Sequence, residues 1–238
     1  MKAINFRRQL MFSLAALGLV LILESFTNID LLAQNFFYTP DTAAWLISSE
    51  DHNRLRPYFY DGPKIALAAI GLAGLAVFLL SFKFKRVKFL RRQALMLFAS
   101  IAMVPLIVAG SKQFTNINCP KDLICYNGSA PYERVLAIEA PDRPTAKRGK
   151  CFPAGHASGG FALMALFFCF KNAKARRIGL TSAIAVGWTM GLYQMFRGEH
   201  FVSHTLTSMI ASWLVIITIN RGVQVFPKRD TTADQIRR

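Results

Sequence analysis

Residues 64–82 read KIALAAIGLAGLAVFLLSF, a run whose one charge stands at its first position. At about 1.5 Å of rise per residue, some ~20 such residues cross the ~30 Å hydrocarbon core of a bilayer. Because no water is there to satisfy backbone N–H and C=O groups, such a run is predicted to be a helix. Five further apolar runs lie at about 9–27, 94–111, 156–171, 178–196 and 201–220. The fourth is short, as a helix sunk toward a polar cavity can be. The prediction is an all-α polytopic membrane protein of six transmembrane helices, one domain over residues 1–238. With 53% hydrophobic residues and mean hydropathy +0.31, the chain leaves no room for a separate soluble domain.

The 29 Lys and Arg against 13 Asp and Glu give a net charge of +16, which in a soluble protein would suggest nucleic acid. Here the bases cluster beside apolar runs, so topology and anionic headgroups account for them and no nucleic-acid partner is expected. Lys83, Lys85, Arg86, Lys88, Arg91 and Arg92 separate runs two and three, and Lys171, Lys174, Arg176 and Arg177 separate four and five. Lys2, Arg7 and Arg8 at the start, with Arg221, Lys228, Arg229, Arg237 and Arg238 at the end, fall on the same side. By the positive-inside rule that side is cytoplasmic and holds both termini. The apolar stretch from Leu10 to about Leu23 lacks a small-residue cleavage site soon after it, so an uncleaved anchor is expected. The chain reads as a multi-pass protein of a bacterial inner (plasma) membrane. Its two longer outer segments would be 28–63, aromatic and acidic and suited to the interface, and 112–155, a loop that covers a site.

Three histidines and a lysine sit where apolar runs meet that outer face. Pro153-Ala154-Gly155-His156 opens the fourth run, where free N–H groups of a first helical turn, Ala154 and Gly155 among them, suit a phosphate. Small residues there could equally serve close helix packing. Arg197, His200 and His204 are spaced i, i+3 and i+7, one face of a helix if it begins before Arg197. Lys112 ends the third run, where a lysine often only snorkels. His52 reads as a surface residue. Together the set offers phosphate-binding charge (Lys112, Arg197), a proton donor and a nucleophile.

The pattern resembles the phosphatidic acid phosphatase type 2 superfamily, whose motifs read K-x6-R-P, P-S-G-H and S-R-x5-H-x3-D. Lys112 precedes Cys119-Pro120 by that spacing, with cysteine for arginine, and Ala154 replaces the serine of the second motif. In the third, His200 matches the histidine, His204 replaces the aspartate and Gln194 the arginine, with Arg197 three residues on to supply the charge. The motif-bearing region is 112–204.

The resemblance implies a metal-independent lipid phosphatase with no cofactor. His200 would attack phosphorus, giving a phosphohistidine, and His156 would protonate the leaving oxygen. Lys112 and Arg197 would hold the phosphate oxygens, and His204 would accept a hydrogen bond in the aspartate's place, with Glu199 or Asp122 supplying a carboxylate. Candidate substrates are lipid A phosphates, toward which the outer bases lean, undecaprenyl pyrophosphate and phosphatidylglycerol phosphate. Lys147, Arg148 and Lys150 would gather anionic headgroups. No C-x-x-C occurs among the four cysteines, but a Cys119–Cys151 bridge would tie the lysine segment to the His156 segment. Asn127-Gly128-Ser129 matches a glycosylation acceptor by accident in a bacterial-looking chain. Other readings are a lipid phosphotransferase, a non-catalytic lipid-binding or transport protein, and a zinc hydrolase using His156, His200 and His204.

Overall fold

The computed structural model describes residues 5–136 and 148–225, and Lys2, Lys147, Lys228, Arg229, Arg237 and Arg238 lie outside them. Among the described residues the chain is all-α apart from an antiparallel ribbon with two residues in each strand, Tyr38–Thr39 with Ala44–Trp45, and an isolated bridge between Leu123 and Ala130. In order come α1 (Phe6–Phe26), α2 (Ile29–Asn35), the ribbon, α3 (Ser49–Arg56), a π turn (Pro57–Asp61) and α4 (Gly62–Lys83). Then follow α5 (Arg91–Ser111), α6 (Gly155–Ala162), α7 (Leu166–Cys169), α8 (Ala173–Met195) and α9 (Val202–Val225). Side chains cap several starts: Asn5 accepts from Arg8 N, Ser48 from Asp51 N, and Asn172 from Lys174 N.

Among the described residues, four helical stretches are long and apolar enough to cross a membrane: Phe6–Phe26, Ser49–Lys83, Lys85–Phe114 and Val202–Gln224. They carry the first, second, third and sixth predicted runs. The fourth run is a shorter apolar helix, Gly155–Cys169, interrupted by a 3-10 turn at Leu163–Ala165. The fifth is α8, whose apolar character is diluted by glycines and by Thr181, Ser182, Thr189 and Gln194.

Helix α6 is short and small-sided because it sits at the centre of the bundle, where Ala157, Phe161 and Ala162 are fully buried. A Cβ on Gly160 would stand 2.7 Å from the Gly187 backbone, and one on Gly187 would stand 2.2 Å from the Phe161 ring. Lipid tails are as apolar as leucine, so this close packing, rather than expulsion of water, is what holds such helices together. Helix α5 runs from the Arg91 cluster to Lys112, and α8 from the Lys171–Arg177 cluster to Arg197. Both basic clusters therefore lie at the end of the bundle away from the histidine motifs. There Arg91 Nη2 donates to Ser81 O (2.6 Å) and Arg176 Nε to Phe167 O (3.0 Å), covering carbonyls at helix ends.

Candidate active site

The break between α8 and α9 carries the third motif, and α2 staples it from outside. Gln34 Nε2 donates to Met195 O at the end of α8 (2.8 Å). Asp30 accepts from Ser203 N (3.0 Å) and from Ser203 Oγ at the start of α9. One short helix thus satisfies orphan groups at both helix ends. Burial raises the Asp30 carboxyl above its ordinary range, and the two Ser203 bonds oppose that. The turn itself passes through Gly198 at φ +68°, with Trp45 packed where a side chain would point. Arg197, His200 and His204 consequently do not share one helical face: Arg197 lies in the turn, His200 in the link before α9, and His204 in the first turn of α9.

Gln194, at the position of the resembled arginine, accepts a bond from Arg197 Nη1 (2.9 Å), so the displaced guanidinium is held by the residue that replaced it. Arg197 Nη2 also lies 3.4 Å from Glu199 Oε1, whose other partner is Lys121 Nζ at 2.9 Å. Lys112 lies in the 3-10 turn after α5 and leans on the start of α6; a Cβ on Gly155 would stand 3.6 Å from its Nζ. His156, second residue of α6, has its ring 4.6 Å from that of Tyr60. Ala154 is not free to meet an anion, because its N–H donates to His204 O (3.2 Å).

His200 is buried, its Nδ1 3.5 Å from the sulfur of Cys151. Cys151 is bonded to Cys119, Cα–Cα 5.2 Å, which joins the Lys112 and His156 segments as anticipated. Burial, reinforced by the neighbouring Lys112, His204 and His156, pushes the His200 imidazole well below its ordinary pKa, while the Cys151 carbonyl opposes this. His204 is buried edge-on between Phe152 and Phe201, and its Nδ1 has no hydrogen-bond partner among the described residues. It does not bond to His200; the rings stand 5.8 Å apart. The hydrogen bond expected in place of the aspartate is therefore absent, because the α8–α9 break turns the two rings edge to face. Asp122 is held through its backbone, its N–H donating to Cys119 O and its carbonyl accepting from Ser129 and Ala130 N–H groups, and it does not line the cavity. Glu199 does reach the cavity.

Two cavities meet at this site. A polar one of about 320 Å³ is lined by Lys112, His156, Gln194, Arg197, Glu199 and His200, with Lys150 and Cys119 from the loop. Its remaining wall, His52, Arg56 and Tyr60, comes from α3 and the π turn. His52 is thus no plain surface residue, and its Nδ1 lies 2.5 Å from Tyr193 OH. An apolar cavity of about 450 Å³ runs between α4, α5 and α6 along Leu67, Ala68, Ile101, Pro105 and Ala109, with Met190 of α8 and Lys64. Lys112 and His156 line both. As metal ligands the three histidines do not assemble. The group with donor atoms within 4.8 Å of one another is Cys151, His200 and His204, and its sulfur is in the disulfide.

Sequence reasoning missed the α3–α4 wall and the α2 staple. A signal for the wall was present: His52, Arg56, Tyr60 and Lys64 recur at every fourth position. No curated protein and no solved structure matches the chain. The sequence pattern of the PAP2 superfamily, a group of phosphatases and phosphotransferases, matches residues 93–227, which include Lys112, His156, Arg197 and His200. That match takes in more than half of the chain, and the protein belongs to the PAP2 superfamily.

Proposed function

We propose that the protein is a multi-pass membrane phosphatase that hydrolyses the phosphate of a lipid through a phosphohistidine on His200. The observation that carries this reading is the junction of a cationic polar cavity with an apolar one at Lys112 and His156. A soluble phosphate ester would need only the first, whereas a lipid phosphate fills both, headgroup in one and chain in the other.

With His200 Nδ1 turned to the Cys151 sulfur, Nε2 is the nitrogen that attacks. Its depressed pKa keeps it neutral, hence nucleophilic, at neutral pH. Lys112 and Arg197 neutralise the phosphoryl oxygens, and His156, between the two cavities, protonates the oxygen leaving with the lipid. Water then cleaves the phosphohistidine. His204 acts by packing behind His200 rather than by bonding to it. In this reading six helices cross an inner membrane with both termini cytoplasmic and the site at the periplasmic face. The basic clusters at the opposite end of the bundle support that orientation.

The test is phosphate release by purified protein in EDTA from lipid A, undecaprenyl pyrophosphate and phosphatidylglycerol phosphate, with His200→Ala as control. Release that the substitution abolishes supports the reading. Release unaffected by His200→Ala, or none from any lipid, sinks it.

A further inference from the structure

Residues Ser49–Lys83 form one continuous helical stretch, and Pro57–Asp61 within it is a π turn, closed by Gly62 N–H to Pro57 O. A Cβ on Gly62 would sit 2.5 Å from that carbonyl, so the turn depends on glycine there. The wider π turn offsets the drift that four-residue spacing suffers in an α-helix. As a result His52, Arg56 and Tyr60 all face the polar cavity, and Lys64 faces the apolar one. Single π turns are frequent at functional sites.

Tyr60 is the pivot of this stripe. Its ring lies 4.6 Å from His156, Lys64 Nζ stands 3.6 Å above it, and Arg56 Cζ is 5.5 Å away. A lysine that served only as an interfacial anchor would extend toward headgroups. Lys64 instead folds back over Tyr60, lines the cavity with Lys112 and His156, and has no carboxylate partner among the described residues. Arg56, by contrast, is paired with Asp61 at 3.0 Å. Charge in the polar cavity also exceeds what one phosphate needs. With Arg56 taken up by Asp61, Lys112, Lys150 and Arg197 still face one carboxylate among the lining residues, Glu199, which is shared with Lys121.

We propose that Lys64 reads a second phosphate between the scissile phosphate and the apolar chain, making lipid diphosphates the preferred substrate class. This rests on the reading of His200 as nucleophile. The terminal phosphate lies at His200, Lys112 and Arg197. The bridging phosphate lies at the mouth of the apolar cavity, beside Lys64 and His156. As the bond from His200 Nε2 to the terminal phosphorus forms, the bond from that phosphorus to the bridging oxygen breaks, and its electron pair leaves on the lipid monophosphate. Lys64 neutralises that leaving anion. Water then attacks the phosphohistidine, releases inorganic phosphate and restores the imidazole.

The experiment compares kcat/KM for an isoprenyl diphosphate and for the monophosphate of the same alcohol, in full-length protein, its Lys64→Gln and Lys64→Arg variants, and His200→Ala. Removing a charge-assisted contact is expected to lower the diphosphate-to-monophosphate ratio about 10–100-fold in Lys64→Gln, with the ratio largely kept in Lys64→Arg. A parent that prefers the monophosphate, or a ratio unchanged by Lys64→Gln, overturns the proposal while leaving the phosphatase reading intact. Equal loss on both substrates marks Lys64 as a structural anchor and overturns it too. Phosphate release that survives His200→Ala, or no release at all from the parent, overturns the underlying reading instead.

Discussion

Gly198→Ala tests whether the α8–α9 turn holds the site. Gly198 sits at φ +68°, and a Cβ there would lie 2.4 Å from Trp45 Cε2 and 2.5 Å from Cζ2. The indole cannot swing clear, because Tyr38 and Tyr126 flank it at 4.9 and 5.1 Å. The left-handed conformation costs an alanine about 1–2 kcal/mol, and overpacking adds about 1–3 kcal/mol. The turn is also tied by Lys121 N–H to Gly198 O (2.9 Å) and Ile47 N–H to Phe196 O (3.1 Å), so a shift of Gly198 carries Arg197 and His200 with it. Misplacement of about 1 Å costs on the order of 100-fold in rate. Thermal unfolding in detergent should fall by several degrees and kcat/KM by roughly that factor. Adding Trp45→Ala removes the clash and leaves the φ cost, so the double variant should be less impaired than the two effects summed, by about 1–3 kcal/mol. A Gly198→Ala protein with parental melting and turnover, or strict additivity in the cycle, would refute the reasoning.

His200→Ala should abolish phosphate release while His204→Ala, which loses packing and no bond to His200, leaves a measurable remnant; steady-state assays of both decide it. Because the His200 pKa is depressed, the acid limb of the pH–rate profile should lie below the ordinary imidazole range of about 6.5. The same shift stabilises the fold above that unfolded-chain value, and the contribution is lost as pH falls from there toward the folded value, which melting against pH would show. Arg197→Gln should cost about 100–1,000-fold in kcat, and Gln194→Ala, which removes only the bond that holds it, about 3–10-fold. Cys119→Ser should lower stability by about 3–4 kcal/mol from loop entropy and reduce kcat through the released His200 wall, so equal melting with and without reductant would count against it.

The apolar runs were legible because a bilayer tolerates little but helix, and their positions follow from composition alone. What 64–82 could not reveal is that its helix starts at Ser49: polar residues hide the α3 turns, and a π turn breaks the 3.6-residue pattern that a reader looks for. Lys112, His156, Arg197 and His200 could be picked out as candidates because charged and imidazole groups at the ends of apolar runs are costly, and the fold brings all four to one cavity. Their arrangement was not, since spacing i, i+3, i+7 suggests one face only while the helix continues, and Gly198 ends it. Asp30 and Gln34 were illegible for another reason. They act across 173 and 161 residues of chain, and nothing local distinguishes a carboxylate that caps a distant helix from one in water.

The departures from the family motifs fall in one neighbourhood, and their arrangement argues for chemistry conserved by rearrangement rather than abandoned. Gln194 removes a guanidinium from the expected position, yet it binds the Arg197 guanidinium, and both line the same cavity. Cys119 removes a second charge, yet its bridge to Cys151 sets the wall against which His200 rests. A scaffold kept only for lipid binding has use for the apolar cavity and for interfacial bases. It has none for a chain of Gln194, Arg197, Glu199 and Lys121 that fixes one cation within a half-buried turn, because diffuse attraction to headgroups needs no such order. Fixed charge is what a transition state requires, since preorganised groups lose little further freedom as charge develops on phosphorus. The replacement of aspartate by His204, like that of serine by Ala154, has no polar substitute, and His204 stands outside the lining of the polar cavity, where its imidazole packs beside His200.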